Sequence, residues 1–369
     1  MKKLFFYILS LFLALLFFYL FFFIYFFFTF EKDFKYNFKD IESLNFYKKY
    51  SKSINHLRFQ PDYKYNLSPE EQLFTKLNNS NQSKKILLQG DSWIEVILKR
   101  EKAKNYFLDS IKGEAQIINA GISSYSPSLM NVQFDILEKD FNIKPEILLV
   151  YIDQTDIGDE ICRYKSLREI DKNGNLIKVS YEDFPIYKGP FNLHEIMILS
   201  EIDIKTASRL AKTHKYFNYK FTKTLNRINK IYQKEIKKNY PHKKCGWTQI
   251  ESYLLSANIE DIQYFKDVLK EFFLKLDSKS YLKKIIVLTH PHKLHLTSTK
   301  YKTDVSDLVK TVAKDFTKIQ HVNFTEIIKK TPDLYENVNN IWLYDQIHLD
   351  RPNYLIFIKE VLKITENFK

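Results

Sequence analysis

The stretch that most constrains what this chain can become is Lys84 to Ile97, KKILLQGDSWIEVI. Ile86 to Leu88 form a short apolar run bounded by lysines and a glycine, the pattern of a strand buried within a parallel sheet. Beyond Gly90, the apolar residues Trp93, Ile94, Val96 and Ile97 take up a helical period. Gly90, Asp91 and Ser92 therefore occupy the turn between a strand and a helix, which puts a hydroxyl at a helix N-terminus. Backbone N–H groups there lack partners and carry the positive end of the helix dipole, so charge developing on an attacked carbonyl can be stabilised. A serine at such a place also serves as a plain helix N-cap.

A serine becomes a useful nucleophile when a base removes its proton, and the usual base is a histidine oriented by a carboxylate. Trp342 to Pro352 reads WLYDQIHLDRP, with Asp345 three residues before His348. On one helical turn that spacing puts both side chains on the same side.

From Ile86 onward strand and helix patterns alternate. The first strand leads into a helix from about Trp93 to Lys112. A second strand, Gln116 to Asn119, ends at Ala120-Gly121, and a helix runs from the Ser123–Pro127 loop to about Asn142. A third strand, Glu146 to Ile152, ends in Asp153-Gln154-Thr155-Asp156. Lys284 to Thr289 and His321 to Phe324 read as the fourth and fifth strands, and Asn353 to Phe368 as the closing helix. This order predicts an α/β fold with a doubly wound, mostly parallel five-stranded sheet. Ligands of such sheets bind beyond the carboxyl ends of the strands, where Ser92, Gly121, Gln154, His290 and His348 all fall.

Gly90-Asp91-Ser92 after one strand, Asn119-Ala120-Gly121 after a second, and a late Asp-x-x-His together resemble the SGNH (GDSL-type) hydrolases. The resemblance covers roughly residues 84 to 156 and 283 to 368. It implies a flavodoxin-like sheet and ester chemistry, with Ser92 as nucleophile, His348 as general base and Asp345 as its orienting carboxylate. It also implies an oxyanion hole built from the N–H of Ser92, the N–H of Gly121 and an asparagine side chain. Where the family has Gly-x-Asn-Asp, this chain has Asp153-Gln154-Thr155-Asp156. Thr155 takes the asparagine position and can donate one hydrogen bond, while Gln154 beside it carries an amide.

The N-terminal residues set the topology. Met1-Lys2-Lys3 precede an uncharged apolar run from Leu4 to Phe30. At about 1.5 Å per residue it reaches roughly 40 Å, more than the ~30 Å hydrocarbon core requires. A cleaved signal peptide has a shorter apolar core and a small-residue cleavage site, and none precedes Glu31. Residues 1–30 thus read as a single-pass transmembrane signal anchor. Undiluted positive charge at Lys2 and Lys3, against near cancellation at Glu31 to Lys35, keeps the N-terminus cytoplasmic. The rest is expected on the periplasmic or extracytoplasmic side of the inner (cytoplasmic) membrane. Residues 31–83 read as a stalk and lead-in, with a helix from Ser68-Pro69-Glu70-Glu71 to about Leu77. Residues 84–369 form the hydrolase-like domain, with a large helical insertion at about 158–258. That insertion holds a polar hairpin around Asp171–Asn175 and helical stretches from about Ile202 to Lys238.

The formal net charge is +13. The lysines are dispersed, and no basic block or binding motif points to nucleic acid. Cys162 and Cys245 do not have metal-ligand spacing; they form one bridge in an oxidising compartment or stand as two buried thiols. His290, His292 and His295 lie close together in THPHKLHL, yet a zinc site usually adds a carboxylate or thiolate. They are read as substrate contacts or loop structure, with no metal or cofactor expected. Trp93, Tyr125 and Tyr151, near strand ends, are placed either to stack on a sugar or to pack in the core.

Together these features lead us to expect a membrane-anchored serine esterase or O-acyltransferase acting on acylated carbohydrate of the cell envelope, O-acetyl groups above all. A membrane partner supplying the acyl donor is compatible with that arrangement. The alternatives are a lipase-like or thioester hydrolase, and a non-catalytic glycan-binding or assembly protein on the same scaffold.

Overall fold

In the computed structural model the described residues are 2–29, 46, 49–50, 52–55, 70–78, 84–99, 104–105, 108–109, 115–180, 257–297, 304–343, 348–350, 353–354, 356–357 and 363. The chain divides into two units, one of residues 1–48, 60–69 and 182–242, the other of residues 49–59, 70–181 and 243–369. In the first unit the apolar run forms one helix, α1 (Lys2–Thr29). Several of its side chains, among them Phe6, Tyr7 and Phe17, are exposed. Its side chains are described only in short runs between positions 6 and 24. Over the described residues no helix is long and apolar enough to cross a membrane.

The second unit opens with β1 (Ile54–Asn55), a 3-10 turn at Glu70–Gln72 and β2 (Thr75–Lys76). β3 (Lys85–Gly90), α2 (Ser92–Lys99), β4 (Gln116–Gly121), α3 (Pro127–Phe141) and β5 (Ile147–Ile152) then alternate. β5 leads to α4 (Asp156–Asp159), a π-helical turn at Glu160–Tyr164, and the strands β6 (Arg168–Ile170) and β7 (Leu176–Ser180). Later come α5 (Ile259–Asp277), β8 (Lys284–Thr289), α6 (Lys293–Thr297) and α7 (Val305–Ala313). β9 (Ile319–Asn323), α8 (Phe324–Lys330) and α9 (Pro332–Glu336) follow.

The main sheet has the order β2-β4-β3-β5-β8-β9. β4, β3, β5, β8 and β9 are parallel, and the apolar runs of the first four are buried because helices cover such a sheet on both faces. The sheet is six-stranded rather than the expected five, since β2 adds an antiparallel edge to β4. The helix expected from Ser68 to Leu77 is not formed. After one turn, in which Leu73 and Phe74 both donate to the Glu70 carbonyl, the chain extends, and the Leu77 N–H donates to Ile117 O. Leu73, Phe74 and Leu77 are buried there, so the open edge of β4 and the apolar burial outweigh local helix propensity.

A second, smaller sheet has the order β1-β7-β6. Its hairpin turns at Asp171–Asn175, where Asp171 Oδ1 accepts from the N–H groups of Asn173 and Asn175 at 2.8 Å. β1 and β2 both lie in the stretch read as a stalk, yet they are strands of the sheet unit. The helix expected over Trp93–Lys112 is described as far as Lys99, with further helical residues at 104–105 and 108–109. The helical stretches expected at 202–238 lie outside the described residues. Of the closing helix, 353–354, 356–357 and 363 are described and helical. Cys162 is disulfide-bonded; Cys245, the other cysteine of the sequence, lies outside the described residues.

Helix ends follow from local chemistry. Asn258 caps α5 by accepting from Asp261 N at 2.8 Å. Phe265, Val268, Leu269, Phe272, Phe273 and Leu276, at helical spacing, give α5 its buried face. α2 lies directly against β4 and β3 because two strand ends lack side chains. A Cβ on Gly121 would stand 2.5 Å from Ile94 Cβ and 2.7 Å from Glu95 N, and one on Gly90 2.8 Å from Tyr151 Cβ. Gly121→Ala should lower the unfolding free energy by about 3 kcal/mol through this overpacking. Urea unfolding monitored by circular dichroism checks it, and an unchanged midpoint would contradict the packing described.

Candidate active site

Asp91, not Ser92, caps α2: its Oδ1 accepts from Trp93 N at 2.9 Å, and its carbonyl accepts from Glu95 N at 3.0 Å. The plain capping role is thereby filled by the neighbour, and Ser92 sits in the first helical position. No described group accepts from the Ser92 N–H, as expected for a first-turn amide. Ser92 Oγ lies 2.7 Å from His348 Nε2 although 256 residues separate them.

His348 is held from both sides. The bridge between Trp342 and Leu349, with Leu343 N donating to His348 O at 2.7 Å and Asp350 N to Ile341 O at 2.9 Å, closes the segment on itself. The His348 ring stacks on Trp93, centroids 5.6 Å apart and planes 21° apart. Asp350 Oδ1 accepts from Asn353 N at 3.1 Å and starts the closing helix, from which the Tyr354 hydroxyl donates to Trp93 O. The backbone of the residue next to the serine is thus tied to the helix following the histidine. Asp345 lies outside the described residues.

The other expected site residues are placed differently. The Gly121 N–H donates to Asn119 Oδ1 at 2.8 Å, so it is not an open oxyanion donor. Asn119 Nδ2 in turn donates to Ile94 O at 2.9 Å, and Gly121 serves the approach of α2 to β4. Gln154 is fully buried, with Nε2 donating to Asp304 Oδ1 at 2.7 Å and His290 O at 3.1 Å, and Oε1 accepting from Val305 N at 3.0 Å. Its amide braces β8 and α7 instead of facing substrate. The Thr155 hydroxyl donates to Asp153 Oδ2 at 2.6 Å. Of the expected oxyanion donors, the Ser92 N–H alone is not engaged elsewhere among the described residues.

Trp93, Tyr125, Tyr151 and His290 are all completely buried, so of the two placements open to the three aromatic residues the structure has them packed in the core. Trp93 is packed against His290, Tyr151, Tyr354 and Phe357, at centroid distances of 3.8 to 5.8 Å. Burial holds the His290 imidazole well below its ordinary range, so it is neutral. Among the described residues no group of three or more His, Cys, Asp or Glu could hold a metal ion. His292 keeps a slight exposure, with Nε2 3.0 Å from Asp153 Oδ1. The sequence reading missed that partnership, although β5 and β8 are adjacent and Ile152 pairs with Thr289, so the residues just beyond them must meet.

Beneath the Ser92 turn lie several buried carboxyls. Burial, reinforced by neighbouring aspartates, raises Asp91 and Asp156 well above the usual carboxylate range. Burial pushes Asp159 up to about 7, despite Arg163 at 2.7 Å.

No protein-family model and no curated protein matches this chain. Among solved structures, an acetylxylan esterase from Geobacillus stearothermophilus matches at 12% identity over 78% of this chain and 95% of its own, with a TM-score of 0.36. A lipase/acylhydrolase from Enterococcus faecalis matches at 11% identity over 77% and 96%, with a TM-score of 0.37. An alpha/beta hydrolase from the metagenome of Lake Arreo, Spain, matches at 10% identity over 77% and 96%, with a TM-score of 0.39. Overlap of this degree assigns no chemistry, which has to come from the side chains.

A carboxyl raised in the folded state binds its proton more tightly there than in the unfolded chain, so its contribution to stability is lost as pH rises through the folded value. Between about pH 4 and about pH 7 the buried Asp156 and Asp159 should therefore lower stability progressively. Asp156→Asn should flatten that decline. Urea midpoints measured across this range test it, and equal slopes in the two proteins would contradict the assignment.

Proposed function

We propose that this protein is a serine esterase or O-acyltransferase of the SGNH type, acting on O-acyl groups, O-acetyl above all, of a cell-envelope polysaccharide or glycoconjugate. The observation that carries this reading is the 2.7 Å contact between Ser92 Oγ and His348 Nε2 at the carboxyl end of a parallel sheet. As Ser92 Oγ attacks the ester carbonyl carbon, Nε2 of His348 takes the hydroxyl proton, and the oxyanion forms beside the open Ser92 N–H. The bond to the alcohol then breaks, His348 returns the proton to the departing oxygen, and the acyl group stays on Ser92. Water or a sugar hydroxyl next attacks this ester, gives its proton to His348, and Ser92 leaves with that proton. Water gives an esterase; a sugar hydroxyl gives a transferase. Asp345, three residues before His348, is the carboxylate assigned to orient the imidazole.

Loss of one oxyanion donor costs about 100-fold to 1000-fold in rate. With Gly121, Gln154 and Thr155 all engaged, turnover of a simple ester should be slow. The same three engagements favour a second reading, a glycan-binding protein without turnover.

The apolar run Leu4–Phe30, helical in α1, is assigned as the membrane anchor, with the sheet unit on the extracytoplasmic side. The disulfide at Cys162 accords with export, since such bonds persist in oxidising compartments.

Two experiments test these assignments. A fluorophosphonate should label Ser92, and both Ser92→Ala and His348→Ala should reduce turnover of p-nitrophenyl acetate by about 1000-fold or more. Absence of both labelling and turnover in the unsubstituted protein, with retained glycan binding, would establish the second reading instead. The full chain should resist carbonate extraction from membranes and the chain lacking residues 1–30 should be released; extraction of the full chain would contradict the anchor.

A further inference from the structure

The end of the sheet that carries the Ser92–His348 pair also holds a second imidazole fixed by a carboxylate. His292 Nε2 stands 3.0 Å from Asp153 Oδ1 and 3.4 Å from Oδ2. The Oδ2 atom also accepts the Thr155 hydroxyl at 2.6 Å and the Thr155 N–H at 3.3 Å. Burial opposes a charge on Asp153, but the facing His292 and these hydrogen bonds hold its carboxyl below the ordinary range. Asp153 is therefore an acceptor only, and the proton of the bridge belongs to His292 Nε2. The other ring nitrogen, Nδ1, has no partner among the described residues. His292 retains 6% exposure where His290 has none, and the Thr155 it shares Asp153 with is half-buried, so the pair lies just beneath the surface.

Its place relative to Ser92 follows from the sheet. Gln89 of β3 pairs with Val150 of β5, and Ile152 of β5 pairs with Thr289 of β8. Asp91-Ser92, Asp153 and His290–His292 thus follow the carboxyl ends of three adjacent strands. His290, two residues before His292, has its ring 3.8 Å from Trp93, on which His348 also stacks.

We propose that His292, fixed through Nε2 by Asp153, hydrogen-bonds through Nδ1 to a hydroxyl on the alcohol side of the ester, and so selects carbohydrate esters over simple ones. The inference rests on the esterase reading of Ser92 and deepens it by naming the residue that recognises the polyol. A carboxylate-held imidazole suits this task because its orientation is set before substrate arrives, so little freedom is lost on binding.

The test compares p-nitrophenyl acetate, which offers no hydroxyl, with a mono-O-acetylated methyl glucoside. His292→Phe keeps a packed ring without the ring nitrogen. Its kcat/KM on the sugar ester should fall about tenfold, mainly through KM, in line with one lost hydrogen bond, and stay within about twofold on p-nitrophenyl acetate. His292→Gln, which keeps a hydrogen-bonding amide, should recover part of the loss. Equal losses on both substrates, or no loss on either, would overturn the inference. Turnover of p-nitrophenyl acetate but not of the sugar ester by the unsubstituted protein would overturn it while leaving the esterase reading intact; turnover of neither removes both. Should His292→Phe fail to fold, seen as a lost unfolding transition, nitrogen NMR of the unsubstituted protein decides. Added methyl glucoside should shift the His292 Nδ1 resonance, and an unmoved resonance would overturn the assignment.

Discussion

The strand-to-helix turn at Gly90-Asp91-Ser92 is the constraint on which the site depends, because it presents a hydroxyl only while α2 stays pressed against the ends of β3 and β4. Three local features keep it there. Missing side chains at Gly90 and Gly121 let Ile94 and Tyr151 close in. The Asp91 side chain takes over the helix cap, which leaves Ser92 uncommitted. The Asn119 amide ties the end of β4 to Ile94 O. His348 reaches this turn through an aromatic stack on Trp93 and through the Tyr354 hydroxyl on the Trp93 carbonyl. The Ser92 hydroxyl and the His348 imidazole are therefore positioned by one shared residue that is itself sealed in the core.

That seal has an electrostatic consequence. Asp91, Asp153, Asp156 and Asp159 are all withdrawn from water close to the turn. Asp153 stays ionised because His292 and Thr155 donate to it, whereas Asp91 and Asp156 are driven towards their protonated forms. One charged carboxylate surrounded by neutral ones costs far less than several buried anions side by side. It also explains why the Thr155 hydroxyl turns to Asp153 rather than into the site.

Much of the architecture was legible in the sequence because the parallel strands are apolar runs with sharp ends. Lys284–Thr289 is read with the bounds the structure gives, since Ile285 to Thr289 are buried without a break. β2 was not legible: two residues carry no period, and their extended form is fixed by the edge of β4, about forty positions away. At the site, placing Ser92 and His348 at the sheet's carboxyl end needed only strand order. The roles of Gly121, Gln154 and Thr155 needed their hydrogen-bond partners, and for Gln154 these lie 136 to 151 residues further on. The aromatic residues near strand ends could be read as sugar platforms or core, and complete burial decides for core. Asp153 and His292 belong to unrelated motifs, and only the adjacency of β5 and β8 joins them.

The central claim is that one hydroxyl, brought to one imidazole by this fold, carries an acyl group. Rapid quenching of the protein with an activated acetyl ester, followed by mass spectrometry of its peptides, tests this most directly. We predict an acetyl group on the peptide containing Ser92, accumulating in the His348→Ala protein far more slowly than in the unsubstituted one. An acetyl group confined to other residues, or equal accumulation in both proteins, would contradict it.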